Sequence, residues 1–376
     1  MSLRLAMVAA LALTSAGCDA APGRSIPLPL KLVADVPIEH PSSRFDYESL
    51  DPTTGLLFIA DLAGSRVLVF DTRANRFVNV IDGIAKVHGV LAVPERGMVY
   101  ASATGDDQLA AIDAKTFAVR ARVASGHYPD GIAWAPKQGK LYVSDEHGNT
   151  VAVINAARNT LLAKIPVGGE VGNTQYDNAD GMIYSNVQTR GEMVVIDPAT
   201  DREVRRIKVP GCDSNHGLLI DPTRQLAYVA CEDNARLVTV SLASKAMIDS
   251  QAVGSGPDVL AFDPGLKRLY VAAESGPLTV FDVSAEKPVR SARRSSRTMP
   301  TSSRSIRRPT ASTFRCAMSA AARCCARWSR TEALIRAKAG KRSLGEGGPH
   351  YRISVSQYAQ GPNPHTVPCS GNPLNV

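Results

Sequence analysis

The sequence lacks the marks of several common activities. No G-x-S-x-G elbow, H-E-x-x-H pair or P-loop occurs in it, so the serine-hydrolase, zincin and nucleotide-binding signatures are missing. No run reaches the ~20 apolar residues of a membrane-spanning helix. Of seven cysteines, only Cys212 and Cys231 lie between residues 19 and 315, and the rest do not form two spaced C-x-x-C pairs, which excludes a zinc ribbon. Positive charge is also scarce where it would matter. The chain of 376 residues has a formal charge of +8, but residues 297–376 hold 13 of the 43 Lys and Arg and only two of the 35 acids, Glu332 and Glu346. The first 296 residues therefore carry 30 cations against 33 carboxylates. A body with net charge −3 lacks the clustered Lys and Arg that neutralise phosphates.

What is present starts with "MSLRLAMVAALALTSAGCDAAPG". Arg4, an apolar run from Leu5 to Leu13 and then small residues read as a secretory signal peptide over 1–21, too short for a stable span. "SAGC" ending at Cys18 resembles a bacterial lipobox, which implies a lipid on Cys18. Ser15 stands where Leu is usual, so cleavage near Ala16 or Ala21 is the alternative. Either way the expected location is the periplasm, with Cys18 as the candidate lipid anchor.

The body is a repeat. "LDPTTGLLFIAD", "AVPERGMVYASA", "WAPKQGKLYVSD", "YDNADGMIYSNV", "IDPTRQLAYVAC" and "FDPGLKRLYVAA" share a position at Pro52, Pro94, Pro136, Asn178, Pro222 and Pro264. The steps are 42, 42, 42, 44 and 42 residues. Each unit alternates apolar and polar residues and is rich in Val, Ile and Tyr, as half-buried strands require. Four strands joined by Gly, Asp, Asn and Pro turns, repeated about every 40 residues, are the pattern of a β-propeller blade. A blade has two apolar faces and cannot bury both alone, so neighbours stack around an axis.

"LYVSDEHGNTVAVINAARNTLLAKIPVG", with Tyr142, Val143, Ser144 and Asp145 at the signature position, resembles the YVTN-repeat propellers, and the order of units resembles YncE-like periplasmic proteins. The resemblance covers about residues 30–290. It implies an all-β, seven-bladed propeller over 28–290, with DNA binding as one family activity and lactonases on related scaffolds. Six blades are complete. "LPLKLVADVPI" at 28–38 matches the fourth strands and is expected to close a seventh, because closure removes exposed sheet edges.

The missing three strands should follow residue 290, yet 291–376 reads as an aberrant, disordered or frameshifted tail. Regrouping allowed codons from Arg297 one base earlier lets Thr298–Cys316 encode "HNAHVVAVDPATHRVYFPL", a blade opening in the style of the other six. Met318–Ala326 can continue as "DVGGRPVLR", and an in-frame stop falls within Thr331–Glu332. On this reading the tail packs poorly and leaves the 28–38 strand without native partners.

Six residues before each shared position stand Asp46, His88, Asp130, Gly172, His216 and Asp258. They begin the innermost strands and should ring one mouth of the channel as candidate ligand residues. His88, His216, Asp130 and Asp258 together suit a divalent metal such as Zn, Cu, Ni or Mn; a wet mouth satisfied by its own hydrogen bonds is the alternative. The next turns on this face add Asp61, Asp145, Glu146, Glu232 and Glu274, with His147 alongside. The anionic face favours cations or basic partners, whether protein or small polar ligand. Cys212 and Cys231 map to one blade near His216, as a disulfide, as thiols of a soft metal site or as buried free thiols. The expected function is a non-catalytic, monomeric binding or scaffold module. The alternatives are a lactonase-type, metal-dependent hydrolase on the same ring, and YncE-like DNA binding.

Overall fold

In the computed structural model, residues 30–39 and 42–294 are described, together with the backbone of three tail strands, Met318–Ser319, Ala333–Ala339 and Tyr351–Tyr358. The expected signal peptide over 1–21, Cys18 and most of the tail lie outside the described residues.

Six four-stranded antiparallel units follow one another along the chain, over 48–82, 87–124, 129–166, 171–208, 215–252 and 257–294. We number them blades 1 to 6. In each, consecutive strands are neighbours in the sheet. The innermost strands are Glu48–Asp51, Val87–Val93, Pro129–Ala135, Val171–Tyr176, Asn215–Asp221 and Pro257–Asp263. They stand side by side in chain order, and Met318–Ser319 lies between the last and the first, parallel to Glu48–Asp51.

Burial explains the composition of the repeat. In blade 3 the second and third strands, Lys140–Asp145 and Thr150–Asn155, are buried on both faces between neighbours. The fourth, Thr160–Pro166, is mostly exposed and carries the polar residues. The recurrent tyrosines Tyr100, Tyr142, Tyr184 and Tyr228 are almost wholly buried, so each hydroxyl requires a partner. Tyr142 donates to Asp201 and Tyr184 to Asp180, at 2.5 and 2.6 Å, while Tyr100 and Tyr228 accept from Arg96 and Arg224. The repeat signature is thus a packing device with a polar anchor at its tip.

Between the sixth blade and the first, the described residues hold the two-residue strand Met318–Ser319 at the axis and a three-stranded sheet made of Leu30–Ile38, Tyr351–Tyr358 and Ala333–Ala339. The N-terminal strand pairs antiparallel with Tyr351–Tyr358, from Leu30↔Tyr358 to Ile38↔Tyr351, so its partner comes from the tail. A strand edge between two apolar blades recruits whatever extended segment is in reach. Its position is the expected one. Ile38 packs with Leu57, Ile59 and Phe70 of blade 1, and Leu30 packs against the Val259–Tyr270–Leu278 cluster of blade 6.

Candidate functional site at the channel mouth

The chain aims the ring residues inward by a repeated irregularity. In five blades the ladder between first and second strands slips at the ring position, between Val87 and Val90, Pro129 and Ile132, Val171 and Thr174, Asn215 and Leu218, and Pro257 and Leu260. Such a bulge turns a side chain out of the regular sheet alternation. Glycine follows the ring residue where blades approach closely: a Cβ on Gly89 would lie 2.1 Å from the Asp130 carbonyl oxygen, and one on Gly217 would lie 1.8 Å from that of Asp258. The ring carbonyls are then tied to the preceding blade. Ser102 Oγ donates to the Asp130 carbonyl at 2.5 Å, Ser144 Oγ to that of Gly172 at 2.6 Å, and Asn186 Nδ2 to that of His216 at 3.0 Å.

His216 is the centre of the arrangement. Its Nε2 is 3.3 Å from Asp130 Oδ2 and 3.1 Å from Asp258 Oδ1. It reaches Asp130, two blades away, because the ring residue between them is Gly172 and has no side chain. All three residues are buried. Burial by itself disfavours the imidazolium, but the Asp258 and Asp130 carboxylates outweigh it and hold His216 well above the ordinary imidazole value.

Tyr47, one residue after Asp46, crosses the channel. Its hydroxyl lies 3.3 Å from Asp258 Oδ1 and accepts from Asn173 Nδ2 of blade 4. Burial raises its pKa, and the charges of Asp258, Asp130 and Asp46 add to the shift. The other histidine belongs to a different group. His88 Nδ1 lies 2.8 Å from the Lys86 carbonyl oxygen. That oxygen can only accept, so Nδ1 carries a proton, and Nε2 lies 3.1 Å from Tyr128 Oη. Asp46 Oδ2 stands 3.8 Å from the same Nε2.

The metal set expected from sequence therefore divides: His216, Asp130 and Asp258 come together, while His88 pairs with Asp46 and Tyr128. Among the described residues, no group of three or more His, Cys, Asp or Glu has an arrangement that could hold a metal ion. Glu146 joins the ring from the turn above. Burial, with the Asp130 charge next, pushes its carboxyl up to about 7, and Gln188 Nε2 donates to it at 3.3 Å. Asp145 is buried, and its Oδ2 accepts from Thr150 at 2.6 Å and Lys164 at 3.1 Å, which ties its own hairpin together. Asp61 does the same with Ser42, Gly64 and Arg66. Glu274 pairs with Arg44 at 3.6 Å on the rim. Cys212 and Cys231 form a disulfide with Cα atoms 5.1 Å apart, which removes the soft thiol site. The bond anchors the segment leading to His216, since Cys231 is the ladder partner of Asn215.

Reading the ring column alone missed Tyr47, Asn173 and Tyr128. The next column holds Tyr47, Gly89, Gly131, Asn173, Gly217 and Val259. Tyr47 and Asn173 are its polar exceptions, and they are the pair that meets across the channel.

No family model matches the sequence, and no curated protein matches it either. Among solved structures it is similar to Kuenenia stuttgartiensis hydrazine synthase, with 18% identity and a TM-score of 0.58 over 65% of this chain and 78% of that one. A likeness at that identity shows the fold: this is a β-propeller.

Proposed function

We propose that the chain is an exported, YVTN-type propeller that acts as a binding module, taking a small positively charged ligand or a cationic side chain of a partner at the channel mouth. The observation that carries this reading is the His216 imidazole held between Asp130 and Asp258. The mouth already stabilises one cation, and Glu146, beside the Asp130 charge, adds a further carboxyl group to it. Tyr47 and Tyr128 add aromatic faces, which attract cations by their quadrupoles. The N-terminal signal pattern and the Cys212–Cys231 disulfide support export, because disulfides persist in oxidising compartments.

Calorimetric titration with alkylammonium, guanidinium and carboxylate probes tests the reading. Cations are expected to bind and carboxylates not, and the D130N/D258N double variant should lose at least tenfold in affinity. Binding of carboxylates in preference, or cation binding indifferent to both aspartates, would overturn it.

A further inference from the structure

Tyr128 stands on the rim of blade 3 in a conformation that bulky residues rarely adopt, with φ at +65°. It lies two residues before the ring position, where the other blades carry Arg44, Lys86, Glu170, Ser214 and Gly256. The left-handed backbone recurs there at Lys86, Ser214 and Gly256, so the bend belongs to the fold, and among the six blades only this one puts an aromatic ring on it. Residues held in such strained conformations cluster at binding sites and ligand clamps. Three contacts hold Tyr128 in place. Its N donates to Asp107 Oδ1 at 3.0 Å, its carbonyl oxygen accepts from Glu146 N at 3.1 Å, and its hydroxyl lies 3.1 Å from His88 Nε2. The side chain thus runs from the rim to a ring residue of blade 2, with Glu146 beside it on the neighbouring turn.

We infer that Tyr128 and Glu146 form a guanidinium subsite at the entrance of the channel mouth. The flat cation stacks on the Tyr128 ring in the place that His147 holds, and meets the Glu146 carboxylate. This rests on the cation-binding reading above and names the cation. His147 is exposed and stacks on Tyr128 with ring centres 4.4 Å and planes 31° apart. One face of the Tyr128 ring is therefore covered by a flat, nitrogen-bearing group on a surface side chain, which can swing out into solvent. A guanidinium is also planar and delocalised and stacks on aromatic faces. A compact ammonium does not reproduce that stack.

Glu146 supplies the charge. Its Oε1 accepts from Gln188 Nε2 at 3.3 Å, and its Oε2 accepts from no described residue. Burial, with the Asp130 charge next, disfavours the ionised carboxylate, and a cation placed against it relieves both. Guanidinium is more weakly hydrated than ammonium, so it loses less on entering a half-buried mouth. Its attraction to the ring strengthens as water leaves.

Calorimetric titration of the full-length protein with methylguanidinium, methylammonium and the peptide acetyl-Gly-Arg-Gly-amide tests the inference. Methylguanidinium is expected to bind about fivefold tighter than methylammonium. Tyr128→Leu should abolish that preference and Tyr128→Phe should keep it, while Glu146→Gln should weaken methylguanidinium about tenfold. His147→Ala should bind methylguanidinium at least as tightly as the unaltered chain, because no imidazole has to leave. The preference is a ratio, which a general loosening of the fold does not move, and thermal melts confirm that each variant folds. A peptide that binds as tightly as methylguanidinium supports the subsite with a partner's arginine as its source; a peptide that binds more weakly supports it with a small guanidino compound. Equal affinity for the two cations, or a preference that survives Tyr128→Leu, overturns the guanidinium subsite and leaves the cation-binding reading in place. Failure of every cation to bind overturns both.

Discussion

His216 Nε2 stands 3.1 Å from Asp258 Oδ1, and both side chains are buried at the axis of the propeller. With Asp130 on the other side at 3.3 Å, a single imidazole offsets two carboxyl groups from different blades. Removing one partner of a buried ion pair leaves the other uncompensated, at a cost of about 3–5 kcal/mol. His216→Ala is expected to fall in that range by urea unfolding. Asp130→Asn keeps a hydrogen-bonding oxygen and removes one negative charge, so it should cost clearly less. A His216→Ala variant as stable as the parent would show that the ion pair is already exchanged for water.

Stability should fall as the solution becomes alkaline, and two groups set the slope. Glu146 takes up its proton near 7 instead of near 4.5, so between those values the folded chain binds more protons than the unfolded one and loses stability as pH rises. His216 is raised above 6.5. Its contribution is complete below that value and is lost as pH climbs through the folded-state pKa. Melting temperatures from pH 5 to 9 are expected to decline, and Glu146→Gln should remove about 1–3 kcal/mol of the decline between pH 5 and 8. Affinity for a cationic probe should move the opposite way and increase from pH 6 to 8 as Glu146 ionises. A Glu146→Gln variant with the parent's pH profile would refute the assignment.

Much of this was legible in the sequence because a propeller repeats its chemistry. The 42-residue spacing placed Asp46, His88, Asp130, Gly172, His216 and Asp258 in one layer, and the propeller with six complete blades has them at the inner strand ends. Partner choice within the layer was not legible. Spacing along the chain does not tell that His216 reaches past Gly172 to Asp130, or that Tyr47 spans the channel to Asn173. Those contacts depend on channel width and on bulges that turn individual side chains. Asp145 shows another limit: a turn carboxylate read as part of an anionic face is buried, and its Oδ2 accepts from Thr150 and Lys164 of its own hairpin, which spacing along the chain does not tell.

The Cys212–Cys231 bond closes a loop spanning 19 positions. For such a loop the chain-entropy account gives about 3 kcal/mol. Cys212→Ser/Cys231→Ser is expected to lose that much by denaturant titration. It should also lose part of its cation affinity, because the Asn215–Cys231 pairing next to His216 is no longer held. Equal stability with and without reductant would mean that the thiols pair only weakly in solution.

The place between blades 6 and 1 gives the last prediction. Six blades obey one pattern, and the N-terminal strand already stands between blades 1 and 6, touching Leu57 on one side and Tyr270 on the other. Among the described residues the innermost place between blades 6 and 1 holds two residues, Met318–Ser319, where every complete blade but the first has six or seven and that one has four. The frameshift reading supplies for this place a first strand with the same alternation, a DP turn in register, and a histidine at the ring position between Asp258 and Asp46. Sequencing the gene is expected to show the codons for "HNAHVVAVDPATHRVYFPL" in the frame one base earlier, followed by a stop near Thr331. The frame-corrected chain should melt several degrees higher, because a complete seventh blade buries apolar faces that blades 1 and 6 otherwise share with a partial sheet. A gene whose single open frame encodes residues 297–376 as they stand, with no such codons alongside, would refute the frameshift.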